Sequence, residues 1–353
     1  MTDKPSDSIH ADPFKKHPKE LIQGQLSLGK LIFLGVVAIV LSMFGPLSLL
    51  APVPLAVAFL LYGKEKAGLL GLGLSGLLWG VTLGLGLFSE LSVGAFIFSF
   101  ALAYAYLTFR AVEKGEHPVK GLMRSGAVVL GFWLTLILGA SLVTGFQLQS
   151  TIVEVAQSRV EMFKTDARYA TQFQAIKNSA TPEAKLLLDS LNKPEELVNS
   201  FLKWAPGAIV VGTFFTLWIC QFMVLRNSLI WRQLWNYPYG LADLMRFKMP
   251  DLFVLPVILG LALVLGSEMI NFPMGEVIGG NLLLGLAVFY FFQGFGIVMD
   301  GLTYLKIGGL MRSLAMVLIM FLAWRVVIFV GLFDTWINFR KYMNKNIDEG
   351  ENS

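Results

Sequence analysis

The sequence predicts an all-α, polytopic membrane protein: a helical bundle of eight to nine helices, including a second helix broken by proline, with a helical hairpin outside the membrane. Three observations predict this fold. Of the 353 residues, 55% are hydrophobic and only 15% are charged, whereas an average soluble domain has roughly 25% charged residues. The apolar residues are collected in runs long enough to span a bilayer. Many of the 35 glycines lie inside these runs, as is typical of closely packed membrane helices.

The first apolar run is interrupted by prolines. Residues 1–28 are polar and mixed in charge, and we expect them to form a cytoplasmic tail. From Leu31 to Tyr62 the chain has no charged residue. Each proline in this run removes a backbone donor and disfavours helix in the residue before it. The sequence therefore predicts a helix over 29–48, a bend, and a short helix over 54–62. The prolines that predict the bend are Pro46, Pro52 and Pro54.

A glycine-rich run follows at 67–88. Gly76, Gly80 and Gly84 repeat every four residues, which places them on one helix face. This spacing predicts that another helix packs closely on that face. The remaining spans are predicted by six further apolar runs, at 91–109, 122–146, 205–225, 252–270, 277–298 and 314–333.

One long polar segment, residues 147–204, separates two membrane halves. Its apolar residues recur close to the helical period, and Thr181-Pro182 provides an N-cap followed by proline at the first helical position. The segment therefore predicts an amphipathic helical hairpin, which we expect to be extracytoplasmic. The N-terminal membrane half covers 29–146 and the C-terminal half covers 205–334, with a polar tail over 335–353.

Lysine and arginine in short loops indicate the cytoplasmic side of the membrane. The loops 110–124 and 226–251 are rich in both residues, so we expect both loops inside, together with Lys64 and Lys66. This orientation requires residues 31–62 to cross twice, giving nine passes, and it places the C-terminus outside. The loop 226–251 also carries four aromatic residues that we expect in the headgroup zone, Trp231, Trp235, Tyr237 and Tyr239.

The sequence offers little material for catalysis or metal binding. It has one cysteine, Cys220, and three histidines, all three in polar segments. A disulfide within the chain and a cysteine-based metal site are therefore excluded. A catalytic Ser-His or Cys-His pair is disfavoured, because the few histidines lie in polar segments. We expect no catalytic function, no cofactor and no metal site. Because the basic residues are spread over loops, we interpret them as topology signals and expect no nucleic-acid partner.

A charge inside a span costs about 2.5–3.5 kcal/mol on insertion scales and therefore indicates a candidate site. Arg325 is such a charge, at a depth that we expect to match that of Glu268. The hypothesis is an outward-facing cavity, lined by Arg325 and Glu268, for a polar small molecule or anion. The alternative is a structural ion pair, or an arginine that snorkels to the headgroups. Gln293 and Asn281 are further candidate ligand contacts, or else amides that join neighbouring helices.

Four short segments of the sequence stand out: Gly45–Pro54, Arg246–Asp251, Gln293-Gly294 and Gly331–Lys341. Together, these segments resemble the YybS-like family of predicted bacterial membrane proteins. The resemblance covers residues 29 to 341 and implies a protein of the bacterial inner (cytoplasmic) membrane, in a family with no assigned function. The turn around Pro52 and Pro54, followed by a glycine-rich helix, is also distantly similar to the S components of energy-coupling-factor transporters and to MreD.

Two hypotheses for the function remain open. The first is binding or transport of a small solute by an S-component-like bundle. Because the chain has no G-x-x-x-x-G-K-[ST] motif, ATP-driven transport would need a separate ATPase and a transmembrane coupling module. The second is an MreD-like scaffold of the cell envelope, whose partners would be cell-wall synthesis proteins. In both cases the lipid bilayer is the first partner.

The orientation predicts the accessibility of two loop positions. In intact cells, a single cysteine at Ala175 should react with a membrane-impermeant thiol reagent, whereas a single cysteine at Pro118 should react only after the membrane is opened. Reaction of position 118 from outside would reject the orientation.

Overall fold

The computed structural model describes residues 27–85, 90–165, 167–179 and 181–343. Every regular element in these residues is helical, as the fold class predicts, with short 3-10 turns at Gly45–Leu50 and Asp251–Phe253. Residues 1–26 of the predicted N-terminal tail and 344–353 of the C-terminal tail lie outside the described residues. The helices are α1 Leu28–Met43, α2 Pro52–Leu85, α3 Glu90–Glu113, α4 Pro118–Val143, α5 Leu148–Thr165, α6 Ala167–Asn178, α7 Pro182–Asn192, α8 Pro194–Leu225, α9 Ser228–Trp235, α10 Leu241–Met245, α11 Val254–Gly266, α12 Pro273–Tyr304, α13 Gly309–Leu322 and α14 Trp324–Ile337.

All eight long apolar runs form helices at the predicted places, but not all of them are full spans. By length and composition, five of the described helices could cross a membrane: Gly45–Gly84, Leu91–Glu113, Pro118–Val143, Pro194–Leu225 and Pro273–Tyr304. The bent pair Gly309–Met320 and Trp324–Ile337 would make a sixth. The apolar helices Leu28–Met43 and Asp251–Gly266 are shorter. The polytopic helical bundle is confirmed, with fewer full-length spans than the eight that the sequence predicts.

The proline-containing segment folds back on itself. Helix α1 ends at Met43, a 3-10 turn follows, and α2 begins at Pro52. The Tyr62 hydroxyl donates a hydrogen bond to the carbonyl oxygen of Ser27 (3.1 Å), so the two ends of segment 27–62 meet. The predicted short helix over 54–62 is confirmed as the first part of α2, which begins at Pro52 and ends at Gly63, whose φ of 80° is outside the helical region. A second helical part then continues through the charged residues to Leu85.

The described residues divide into two compact units. Unit 1 comprises the described part of Met1–Ser125 with Thr216–Leu244. In this unit the Trp235 indole donates to the Leu60 carbonyl (2.9 Å) and the Tyr237 hydroxyl to the Glu116 carbonyl (2.9 Å). Residues 226–244 therefore lie beside the loop 110–124 and the end of segment 27–62. This arrangement agrees with the prediction that these basic loops share one side.

Two of the four aromatic rings expected in the headgroup zone are buried within the protein, and their depth in a bilayer stays a prediction. Trp231 is only 2% exposed and Tyr237 only 1%, and the Trp231 indole donates to the Val224 carbonyl (2.6 Å). Burial raises the pKa of the Tyr237 hydroxyl above its usual value, and the neighbouring Tyr239, Asp243 and Glu116 add to this shift. Trp231 and Tyr237 can be buried at this end of unit 1 because their polar atoms donate hydrogen bonds to backbone carbonyl groups.

Unit 2 comprises Gly126–Phe215 and the described part of Met245–Ser353. The polar segment 147–204, predicted as a helical hairpin, forms three helices, α5 to α7, and the start of α8. It folds back on itself, since the Gln149 amide donates to the Asn199 side chain (2.8 Å) and the Lys164 ammonium group to the Asn192 side chain (3.1 Å). The Thr181 side chain accepts a hydrogen bond from the Ala184 amide, as the N-cap prediction requires. The long helix α8 begins at Pro194, ten residues before the predicted end of the segment, so the span continues directly into the polar region.

Two glycines bring α12 and α14 into backbone contact. A Cβ atom at Gly294 would overlap the carbonyl oxygen of Val327, and a Cβ atom at Gly331 would overlap the carbonyl oxygen of Tyr290. The two glycines therefore face each other, as in close helix pairs of membranes. By contrast, among the described residues no other helix lies within 4 Å of a Cβ built at Gly76, Gly80 or Gly84. The predicted helix contact at those three glycines is therefore not made within the described part of the chain.

Helices α13 and α14 form a re-entrant pair. The two helices meet at 92°. Helix α13 begins five residues after the end of α12, and Arg340, just after α14, pairs with Asp300 near that same end of α12 (3.0 Å). Because both ends of the pair lie at one end of α12, the chain enters and leaves at the same face. The prediction that the C-terminus lies on the opposite face from Arg246 is therefore wrong for the residues up to 343.

The glycine contact predicts a contrast between two alanine variants. We expect Gly331→Ala to lower the free energy of unfolding by about 1–3 kcal/mol, because the added methyl group meets backbone. Gly80→Ala should be neutral or stabilising, since its Cβ meets nothing and alanine favours helix by up to ~1 kcal/mol. Thermal unfolding of both purified variants in one detergent measures the difference. An equal loss of stability would contradict the packing described here.

Candidate functional site

A buried amide and a buried carboxylate join α12 to α14. Gln293 and Asp334 are 0% and 3% exposed. The Gln293 amide nitrogen donates to the Asp334 carboxylate (2.9 Å), whose other oxygen accepts from the Phe339 amide (2.8 Å). The Gln293 carbonyl oxygen accepts from the Met249 amide (2.8 Å). The group predicted as a ligand contact is thus bonded to protein on both sides, which offsets the cost of burying it.

An ion pair follows where α12 ends. The Arg340 guanidinium contacts the Asp300 carboxylate (3.0 Å) and donates to the Met245 carbonyl (2.7 Å). A Cβ at Gly296 would overlap both that carbonyl oxygen and the Arg340 guanidinium. Because Gly296 has no side chain, the Met245 carbonyl, before α11, and the Arg340 guanidinium, after α14, can both contact α12 at this position.

Arg325 and Glu268 are not brought together. Arg325 is the second residue of α14, directly after the break between α13 and α14. Its side chain is exposed and its guanidinium carbon lies 5.2 Å from the centre of the Trp324 ring, a cation–π contact. Glu268 is exposed and follows α11. Within the described residues neither side chain takes part in an ion pair.

The depth of Arg325 differs from the predicted one. Val327 packs against Gly294, which places Arg325 beside the middle of the 32-residue helix α12. Glu268 lies near the first residues of that helix, because Gly275 packs against Leu263 and Ser267. At 1.5 Å per residue, the two charges are about 20 Å apart along α12. Within the described residues, Arg325 and Glu268 therefore do not lie in one site, and each stays a separate candidate contact.

Asn281 occupies a gap in the backbone bonding of another helix. Pro206 lies inside α8, and the Gly207 amide next to it donates to the Asn281 side-chain oxygen (2.7 Å). The Asn281 amide nitrogen donates to the carbonyl oxygens of Lys203 and Val277 (2.7 Å each). The side chain thus bridges the i to i−4 pair that the proline bend has separated, as neighbouring groups do at proline in membrane helices. As a ligand contact, Asn281 stays a prediction.

Several of these contacts were not predictable from the sequence. Gln293 stood out as an amide in an apolar helix, but nothing near it in the chain indicates that Asp334 is its partner. The backbone groups of Met245 and Met249 give no signal in a sequence at all. The sequence contains one indication of the ion pair: Asp300 ends an apolar run, and basic residues occur in segments before and after it.

The comparisons with known proteins agree with the membrane architecture. The profile of DUF2232, described as a predicted membrane protein, matches residues 31–335. The chain belongs to the DUF2232 family. This match covers both units and agrees with the YybS-like resemblance. No curated protein and no solved structure gives a significant match. Membership of DUF2232 thus establishes the class of protein and carries no catalytic or ligand-binding residue to this chain.

The bridge through Asn281 predicts a coupled pair of substitutions. Asn281→Ala should lower the free energy of unfolding by about 1–3 kcal/mol, because it leaves the Gly207 amide and the Lys203 carbonyl without partners. In a Pro206→Ala background the helix can close its own backbone bond, so the same change should cost much less. Thermal unfolding of the four variants gives the interaction energy. Equal costs in both backgrounds would contradict the bridging role.

Proposed function

We propose that this DUF2232 protein binds or moves a small anionic solute, and that Arg325 is the group that meets it. The observation that carries the proposal is the position of Arg325 at the break of a re-entrant helix pair. Broken helices near the middle of a membrane are a common way to build solute sites in transporters. The solute is an anion, as the sequence analysis predicts, but Glu268 is no longer proposed to line the same site as Arg325.

The cost of the charge supports this proposal. A cation near the middle of a span is expensive unless it has an acidic partner, a water-filled cavity or a route to the headgroups. In the described residues Arg325 has no acid within ion-pair distance, and its contact is the Trp324 ring. Since a cation–π contact contributes about 0.5–2 kcal/mol, it does not offset the whole cost. A solute anion in a hydrated site would supply the missing countercharge.

The broken backbone supports the same conclusion. One residue lies between α13 and α14: Ala323, whose φ of −116° is outside helical geometry. Backbone groups freed at membrane depth are tolerated only against protein or water. Ala323 itself is bonded through both of its backbone groups, to Ile319 and Val327. The groups that a hydrated site would satisfy are therefore those of the adjoining helix ends, beside the guanidinium.

Water access to position 325 tests the proposal. In a Cys220→Ala background, Arg325→Cys should react with a membrane-impermeant methanethiosulfonate in reconstituted vesicles. The matched control is Leu259→Cys, an exposed apolar position of α11 whose neighbour Gly260 packs on Leu283 of α12. This control should stay unreactive, because its surroundings are hydrocarbon.

The opposite result would reject solute binding at this residue. If Arg325→Cys reacted only with a lipid-soluble maleimide, as Leu259→Cys should, the arginine would face the acyl chains. Binding of carboxylates or phosphate to the wild type, lost in Arg325→Gln, would in turn narrow the chemical class of the solute.

A scaffold role in the cell envelope is the second candidate, and the insertion α5 to α7 favours it. This insertion and the start of α8 expose apolar side chains, among them Val155 (37%), Met162 (42%), Leu187 (46%) and Leu197 (50%). Apolar side chains on a polar segment suit a protein partner. Affinity purification of the full chain distinguishes the candidates, since ATPase subunits support transport and cell-wall synthesis proteins support a scaffold.

A further inference from the structure

Three arginines lie near one carboxylate at the end of α12. Asp300 pairs directly with Arg340 (3.0 Å). Arg246 directly follows Met245, whose carbonyl Arg340 contacts, and Arg312 donates to the carbonyl of Met299, next to Asp300. Both arginines attract the Asp300 carboxylate. Within the described residues, neither Arg246 nor Arg312 takes part in an ion pair. The cluster, which we define as Arg246, Arg312, Arg340 and Asp300, therefore has a formal excess of two positive charges.

Part of this excess positive charge is compensated within the protein. The Arg312 guanidinium donates to the Met299 carbonyl near the end of α12 (3.5 Å), where the helix dipole contributes about half a negative charge. The arginine cluster thus keeps about one and a half positive charges, by this count. Arg340 is held by Asp300 and by the Met245 carbonyl, whereas Arg246 is exposed. Arg246 and Arg312 are therefore the arginines of the cluster that can contact a further anion.

The surroundings of the arginine cluster are those of a membrane surface. The cluster lies at the end of a helix long and apolar enough to span a bilayer. Exposed apolar side chains adjoin it in the chain: Leu305 (65%), Leu310 (84%) and Met311 (66%). A free anion needs only the guanidinium groups, whereas a lipid uses both the charge and the apolar surface next to it.

We infer that the arginine cluster binds the phosphate of an anionic lipid headgroup, with Arg246 and Arg312 as its contacts. Arginine is suited to this because its planar guanidinium matches phosphate oxygens in pairs. The bound lipid would place its acyl chains along Leu310 and Met311. The inference is independent of the solute site at Arg325, since it uses other residues at another depth.

Native mass spectrometry of the full chain tests this inference. The protein is released from nanodiscs that contain equal amounts of dioleoylphosphatidylglycerol and dioleoylphosphatidylcholine. We expect retained phosphatidylglycerol on the wild type, and about thirtyfold weaker binding in R246Q/R312Q, from about 1 kcal/mol for each arginine. The matched control is K64Q/K66Q, which removes two exposed charges elsewhere and should keep the lipid.

Each remaining outcome has a defined meaning. Equal loss in both double variants, or retention in R246Q/R312Q, would overturn the site, because binding would then follow net charge or other residues. Binding of inorganic phosphate alone, through the same arginines, would overturn the lipid assignment. If R246Q/R312Q does not fold, the single variant R246Q, altered at an exposed side chain, should still show about fivefold weaker lipid binding.

Discussion

The backbone contact between α12 and α14 is the constraint on which the rest of unit 2 depends. Gly294 and Gly331 remove the side chains that would otherwise keep the helices apart. At this distance the Gln293 amide reaches Asp334, and Arg340 reaches Asp300. Without a hydrophobic driving force between helices in lipid, such contacts and hydrogen bonds hold the pair together. The glycines therefore decide where the polar groups of the C-terminal half are satisfied.

The same contact explains the re-entrant pair. Helix α14 lies along α12, with its far end bonded at Asp300, so α13 must return the chain to the middle of α12 within fourteen residues. This return leaves Arg325 at the break, beside the middle of α12. The polar groups of unit 2 then fall into two classes: Gln293, Asp334 and Asn281 are bonded to protein, whereas Arg325 is exposed.

Features that depend on neighbouring residues were predictable, whereas features that depend on contacts between distant residues were not. The break at the prolines and the cap at Thr181 were predictable, because proline and an N-cap act on the next few residues. The spacing of Gly76, Gly80 and Gly84 defines a face, but which glycines meet a partner depends on residues far away in the chain. The pair at Gly294 and Gly331 carries no comparable repeat in the sequence.

The sequence by itself determined the membrane class, the places of the eight apolar helices and the grouping of basic loops, because hydropathy and loop charge act locally along the chain. The tertiary structure alone decided that the last apolar run turns back, that Arg325 and Glu268 are far apart, and that Arg246, Arg312 and Arg340 lie near Asp300. These features depend on which helices pack together. That choice is made by shape and hydrogen bonding between distant residues, which hydropathy does not record.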